Sequence, residues 1–72
     1  MEIREVEKVG KNRFFKILNY KFMICKQFNR NLDLKYCIDM YDEEKSYYKT
    51  IGYCNTIQEG KVNAIKYLAK VL

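Results

Sequence analysis

Residues 13–28 read RFFKILNYKFMICKQF, and the alternation of apolar side chains in this stretch decides the fold. From Leu18 onward the apolar residues fall on even positions, the period of two expected of a half-buried β-strand. That even-numbered set is Leu18, Tyr20, Phe22, Ile24 and Phe28. Upstream, the apolar residues Phe15 and Ile17 fall on odd positions. A regular strand cannot exchange its apolar face in this way, so the sequence predicts a bulge or tight bend near residues 17–20. The stretch is then two strands or one sharply bent strand.

Turn signals divide the neighbouring segments into short elements. Residues 2–9 fit a short strand, and the Gly and Asn within residues 9–12 predict a turn after it, because both residues tolerate positive φ. Residues 29–33 (NRNLD) predict the next turn.

Two tyrosine-rich segments follow and predict a hairpin. They read YCIDMY at 36–41 and YYKTIGYC at 47–54, joined by an acidic turn at 42–45. Two registers are compatible with this pattern. One places Met40 opposite Tyr47. The favoured one pairs Asp39 with Lys49, and Tyr36 with Gly52, where an aromatic ring can cover bare backbone.

The carboxyl-terminal segment carries a helix signature. Thr56 and Glu59 form a capping box, which predicts a helix running to about Val71. Its predicted buried stripe is Val62, Ile65, Leu68, Ala69 and Leu72. Gly60 in the first turns costs about 1 kcal/mol relative to alanine, and a close contact with the sheet would explain it. The elements predict an α+β fold: an antiparallel sheet of three or four strands packed against one carboxyl-terminal helix.

Composition limits the class of protein. A chain of 72 residues makes a single domain, residues 1–72, and 49% hydrophobic residues suffice for a packed core. Three cysteines without any histidine cannot complete a four-ligand zinc site, so reduced thiols and no metal are expected. The charged amino terminus is unlike a signal peptide, and no apolar run approaches the ~20 residues of a membrane span. We therefore expect a cytoplasmic protein without a membrane partner.

The sequence offers no constellation for catalysis. It has no histidine to act as a base, its lone serine, Ser46, lies in a predicted turn, and it has no phosphate-cradling glycine loop. The acids at positions 39–44 lack the spacing of a calcium loop. The prediction is a protein that is not an enzyme and has no cofactor.

The charge is unevenly distributed along the chain. The net charge is +5, and residues 8–30 contain seven Lys or Arg and no Asp or Glu, with aromatic rings between them. This pattern is typical of a surface that binds a phosphate backbone while exposed rings stack on bases. Lysines that protect a sheet edge from aggregation are the alternative explanation. The predicted nucleic-acid-binding residues are Lys11, Arg13, Lys16, Lys21, Lys26, Arg30 and Lys49.

Two segments resemble known DNA-binding domains. The run from Tyr48 through Gly52 and Thr56-x-x-Glu59 into the helix is similar to the arm-binding domains of phage and transposon integrases. In that family a three-stranded sheet backed by a carboxyl-terminal helix enters the major groove. Gly60 stands where the family usually has alanine, and no base-contacting residue can be carried over.

The second resemblance involves Gly10-Lys11-x-Arg13-Phe14 and, later, Tyr36-x-Ile38-Asp39-x-Tyr41. This pattern is similar to the positive-cofactor-four type of single-stranded-DNA-binding domain, which has four strands and then a helix. The residues that form the dimer in that family are not recognisable in this chain.

These observations predict a non-enzymatic nucleic-acid-binding domain that uses a basic sheet face. The alternative is a small protein-binding module or inhibitor, such as a phage or mobile-element accessory protein, whose basic face binds an acidic protein surface. A third interpretation is a homodimer joined through an edge strand.

Overall fold

The chain forms one antiparallel sheet followed by one helix, as described for residues 2–72 by a computed structural model. The elements are β1 (Ile3–Val9), β2 (Asn12–Ile17), β3 (Tyr20–Lys26), β4 (Tyr36–Asp42), β5 (Tyr47–Cys54) and α1 (Ile57–Val71). The strand order in the sheet is β1-β2-β3-β4-β5, so each strand pairs with its neighbours in sequence. The predicted α+β class is confirmed. The predicted strand number of three or four is wrong, because residues 13–28 divide into two full strands and β1 adds a fifth.

The predicted bend lies at a two-residue turn between β2 and β3. Leu18 adopts a φ of 57°, and the turn of Leu18 and Asn19 lets Ile17 pair with Tyr20. Leu18 was predicted to be buried, but it is 53% exposed because it forms the turn. Phe28 was also predicted on the buried face and is 83% exposed, because β3 ends two residues earlier.

The core lies between α1 and one face of the sheet, which we call the helix side; the opposite face is the open side. The turn between β2 and β3 places the apolar residues of both strands on the helix side, where Phe15 and Phe22 stack with ring centroids 5.4 Å apart. The fully buried set is Phe15, Ile17, Phe22, Ile24, Ile38, Cys54, Ala64 and Leu68. Burial of this set supplies the main driving force for folding.

The helix begins at the predicted capping box. The Thr56 hydroxyl accepts a hydrogen bond from the Glu59 backbone N–H at 3.1 Å, and the Glu59 carboxylate accepts one from the Asn55 N–H at 3.2 Å. The carboxylate thus reaches one residue beyond the cap itself. The helix ends at Val71, as predicted.

The buried face of the helix differs from the predicted stripe. Gly60, Ala64 and Leu68, spaced four residues apart, are buried against the sheet. Of the predicted residues, Leu68 is buried and Ile65 is partly buried, whereas three are exposed: Val62, Ala69 and Leu72. The predicted stripe left out Gly60 and Ala64, whose small size lets the helix approach the sheet closely, and this rotates the buried face of the helix.

Gly60 has no space for a side chain. A Cβ at this position would lie 2.6 Å from Ile24 Cδ1 and 3.0 Å from Cys54 Sγ, and both of these neighbours are fully buried. We expect Gly60→Ala to lower the free energy of unfolding by about 1–3 kcal/mol through overpacking, despite alanine's better helix propensity. Urea denaturation measures the change. In an Ile24→Val background, which lacks Cδ1, the same substitution should cost less. An increase in stability in the wild-type background would contradict the close contact.

The hairpin of β4 and β5 follows neither predicted register. Ile38 pairs with Gly52, but Asp39 pairs with Thr50, so a β-bulge leaves Ile51 as the extra residue. The turn is closed by Asp42, whose carbonyl accepts the Ser46 N–H at 2.8 Å. The bulge shifts the pairing by one residue along the hairpin, which the alternation of side chains alone does not reveal.

Candidate nucleic-acid interface

Three of the seven predicted binding residues meet in one groove on the helix side. Lys11, Arg13 and Lys26 line a cavity of about 630 Å³ at the end of the sheet, beside the first residue of α1. Two further cations line it, and we define the basic groove by its five charged residues: Lys8, Lys11, Arg13, Lys26 and Lys35. Its other lining residues are Gly10, Gln27, Tyr36 and Ile57. None of the carboxylates in the described part of the chain, residues 2–72, lines the cavity.

Strand pairing brings these cations together. The turn at Gly10, whose φ of 60° suits glycine, folds β1 back so that Lys8 lies directly opposite Arg13. Arg13 in turn lies opposite Ile24, whose side chain is under the helix, and this fixes Arg13 on the helix side. Lys26 is in register with Tyr36 at the corresponding ends of β3 and β4. The groove is therefore built mainly on paired strands.

Within residues 2–72, no cation of the groove lies within 4.0 Å of a carboxylate oxygen. Among residues 2–72 the one ion pair within 4.0 Å joins Lys61 to Glu5, and neither residue lines the groove. The acids that follow β4 lie at the far end of that strand, about 20 Å along it from Tyr36 at ~3.3 Å per residue. Directly opposed like charges such as Lys8 and Arg13 destabilise a sheet. A bound anion would relieve this repulsion.

An exposed aromatic residue lies on the loop that follows β3. Phe28 is 83% exposed and follows Gln27, a groove residue. The Gln27 side chain donates hydrogen bonds to the backbone carbonyls of Leu34 and Leu32, and its Oε1 accepts the Asn29 N–H at 2.7 Å. These hydrogen bonds join the two ends of the loop between β3 and β4, which carries Phe28, and so restrict its conformation.

Two other predicted residues form a second basic surface on the open side. Lys16 and Lys21 pair across β2 and β3, and Arg4 lies opposite Lys16 on β1. We call this row of Arg4, Lys16 and Lys21 the basic ladder. The Lys21 ammonium lies 5.3 Å from the centroid of the Tyr41 ring, a cation–π geometry.

Aromatic rings from non-neighbouring strands meet beside the ladder. The rings of Tyr41 and Tyr48 are 5.1 Å apart, and those of Phe14 and Tyr48 are 6.1 Å apart. Since Phe14 is on β2 and Tyr48 on β5, the sheet must be curved to allow this contact. Burial, with the charges of Tyr41 and Glu7 nearby, raises the pKa of Tyr48. Tyr48 therefore remains a neutral ring.

The last two predicted residues lie apart from both surfaces. Arg30 is in the loop between β3 and β4. Lys49 is on β5, where it pairs with Met40 of β4. The seven residues thus do not share one sheet face. Successive side chains of a strand point to alternate faces of the sheet. Arg13 and Lys16 are three residues apart on β2, so they lie on opposite faces.

Sequence analysis missed two residues of the groove, Lys8 and Lys35. The signal for Lys8 was present, since a tight turn at residues 10–11 must place residue 8 near residue 13. Lys35 gave no such signal, because its position depends on the loop: its carbonyl accepts the Gln27 N–H at 3.1 Å and its N–H donates to the Asn55 side chain at 3.2 Å.

The thiols of Cys25 and Cys54 have little nucleophilic character. Burial, the hydrogen bond with Cys37 and the charges of Cys37 and Asp39 raise the pKa of Cys25 to about 12. Burial also raises the pKa of Cys54. Both thiols are therefore protonated at neutral pH, whereas a nucleophilic cysteine needs the thiolate.

No family model, curated protein or solved structure matches this chain significantly. The resemblances to integrase arm-binding and positive-cofactor-four domains therefore remain predictions. Within residues 2–72, the helix is neither long enough nor apolar enough to cross a membrane.

Proposed function

We propose that this protein is a non-enzymatic nucleic-acid-binding domain that holds the phosphate backbone of a single strand in the basic groove. One observation carries the proposal: of residues 2–72, five cations and no carboxylate line a cavity of about 630 Å³. Cations arranged in this way neutralise phosphates and release the counterions condensed on the nucleic acid, which drives binding without reading the sequence of bases.

An aromatic ring in the groove and an exposed ring on the loop after β3 favour a single strand over a duplex. Tyr36 lines the cavity, and Phe28 stands exposed on that loop. Unpaired bases stack on such rings at about 1–3 kcal/mol per base, independently of base identity. In a duplex these base faces are already stacked on one another. The single-strand proposal agrees with the resemblance to positive-cofactor-four domains and assigns binding to the helix side of the sheet.

The salt dependence of binding tests this proposal. Five phosphate contacts on a single strand give a slope of about −3.5 for log K against log[salt], so affinity should fall about 100-fold between 50 and 200 mM salt. Fluorescence anisotropy with a labelled oligonucleotide of mixed sequence measures the slope. A flat salt response would contradict binding through the groove cations. Tighter binding to a duplex of the same sequence would contradict the single-strand assignment.

An acidic protein segment is the second candidate ligand. The observation that favours it is the position of β1 at the sheet edge, which leaves its outer backbone groups available to another strand next to Lys8 and Lys11. A partner strand could pair there and place carboxylates in the groove. Competition separates the candidates: an acidic peptide that displaces the oligonucleotide at equal or lower concentration would favour the protein-binding module.

A further inference from the structure

A compact cluster of two thiols and a carboxylate lies on the open side of the sheet. Cys25 on β3 and Cys37 on β4 are directly opposite each other, with their sulfurs 2.8 Å apart. Asp39 follows two residues later on the same face of β4, and its Oδ2 is 4.0 Å from the Cys25 sulfur. One ligand atom from each of the three residues lies within 4.8 Å of the others.

Asp39 is the feature that needs an explanation. Its side chain is on the open side, yet the residue is only 8% exposed. No lysine or arginine among residues 2–72 comes within 4.0 Å of it. Buried carboxylates are normally paired with a cation or coordinate a metal, because an isolated buried charge is strongly unfavourable. Asp39 therefore offers a carboxylate oxygen beside two thiols, with no Lys or Arg among residues 2–72 to occupy it, and such an oxygen is available to a metal ion.

One oxygen of Asp39 is held in place and the other faces the sulfurs. Oδ1 accepts a hydrogen bond from the Thr50 hydroxyl at 2.8 Å, from the partner residue on β5. This leaves Oδ2 directed toward Cys25. Carboxylates that bind metals are commonly oriented by a hydrogen bond of this kind, so the Thr50 hydroxyl would hold the Asp39 carboxylate in the orientation that a metal requires.

We propose that Cys25, Cys37 and Asp39 bind one thiophilic divalent cation, with Zn²⁺ the best match. Two thiolates and a carboxylate are ligands that zinc accepts, and three protein ligands leave a fourth, open position for water or a ligand from a partner. On binding, each cysteine loses its thiol proton to solvent and no oxidant or reductant is required. The site is separate from the basic groove, which lies on the helix side, so it does not depend on the proposed nucleic-acid function.

The separation of the sulfurs allows this site with a small adjustment. Zn–S bonds of ~2.3 Å in tetrahedral geometry place two sulfurs about 3.8 Å apart, so the pair must open by about 1 Å. A disulfide would require a movement of similar size in the other direction, to an S–S distance of ~2.05 Å, so the sulfur separation alone does not choose between the two. A disulfide would leave the buried Asp39 carboxylate without a cation, whereas a metal accounts for all three side chains.

Titration of the reduced, metal-free protein with Co²⁺ tests the proposal. We expect a thiolate-to-cobalt charge-transfer band that saturates at one Co²⁺ per chain and is abolished by Zn²⁺. Asp39→Asn, which preserves side-chain shape, should weaken cobalt binding at least about tenfold, and Thr50→Val should weaken it about 10–100-fold. Circular dichroism of each variant shows whether the fold is retained.

The third cysteine provides a matched control. Cys54 lies in the core on the helix side, so Cys54→Ala should retain the band, whereas Cys25→Ser should abolish it. The proposal is overturned if the wild-type protein gives no band, if binding is unchanged in folded Asp39→Asn, or if Cys54→Ala abolishes it. It is also overturned if the protein in air loses two mass units and this disulfide forms equally fast with or without Zn²⁺.

Discussion

Phe22→Ala is expected to lower the free energy of unfolding by about 3–5 kcal/mol. Phe22 is fully buried on the central region of the sheet and stacks on Phe15, with the two rings 11° from parallel. Truncation removes this stack and leaves a cavity beneath the helix. At ~0.05–0.15 kcal/mol per residue, 72 residues correspond to a stability of about 4–11 kcal/mol, so the loss is a large fraction of it. Urea denaturation followed by circular dichroism measures the change.

Phe28→Ala provides the matched control for this substitution. It deletes the same atoms from a ring that is 83% exposed, and we expect a change within about 0.5 kcal/mol. Phe22 and Phe28 share the same even parity in sequence, so alternation alone treats them as equivalent. Equal destabilisation by the two substitutions would show that Phe28 is also part of the core.

This pair of residues shows how far the sequence predicts the fold. The apolar residues change from odd to even positions between Ile17 and Leu18, and this correctly predicts the bend. The prediction succeeds because the pairing of two strands in a hairpin depends on residues close together in sequence. The end of β3 at Lys26 is set instead by hydrogen bonds from Gln27 to residues up to eight positions away. Loop contacts of this kind leave no periodic signal, so the exposure of Phe28 was not predictable.

The helix illustrates a second limit. The capping box fixes where α1 begins, since the hydrogen bond between Thr56 and Glu59 is local. The buried face depends on how closely the helix approaches the sheet, which the small residues Gly60 and Ala64 determine. The predicted apolar stripe omitted Gly60 and Ala64 and included Val62, which is 39% exposed.

The candidate site was predictable in composition but not in arrangement. The acid-free run of residues 8–30 correctly draws attention to Lys11, Arg13 and Lys26. Strand parity separates them from Lys16 and Lys21, and this separation could have been derived from the predicted strands. The approach of Lys35 from across the sheet requires the pairing of β3 with β4, which the sequence indicates only weakly.

The division of cations between two surfaces permits a strict test of the proposed function. We expect Arg13→Gln/Lys26→Gln to weaken oligonucleotide binding about 25-fold at 0.1 M salt and to make the salt slope less negative by about 1.4, because two counterion releases of ~0.7 each are lost. Lys16→Gln/Lys21→Gln, on the basic ladder, should change affinity less than about threefold. Both double variants lower the net charge by the same two units, from +5 to +3.

The matched pair separates a binding site from a general attraction. If net charge alone attracted the nucleic acid, the two double variants would lose affinity equally and their salt slopes would change together. If the open side were the interface, as in a sheet that enters the major groove, the ladder variant would lose more. Arg13 and Lys26 line one cavity, whereas Lys16 and Lys21 lie on the opposite face of the sheet. Only binding in the basic groove predicts a larger loss of affinity for the Arg13/Lys26 variant than for the Lys16/Lys21 variant.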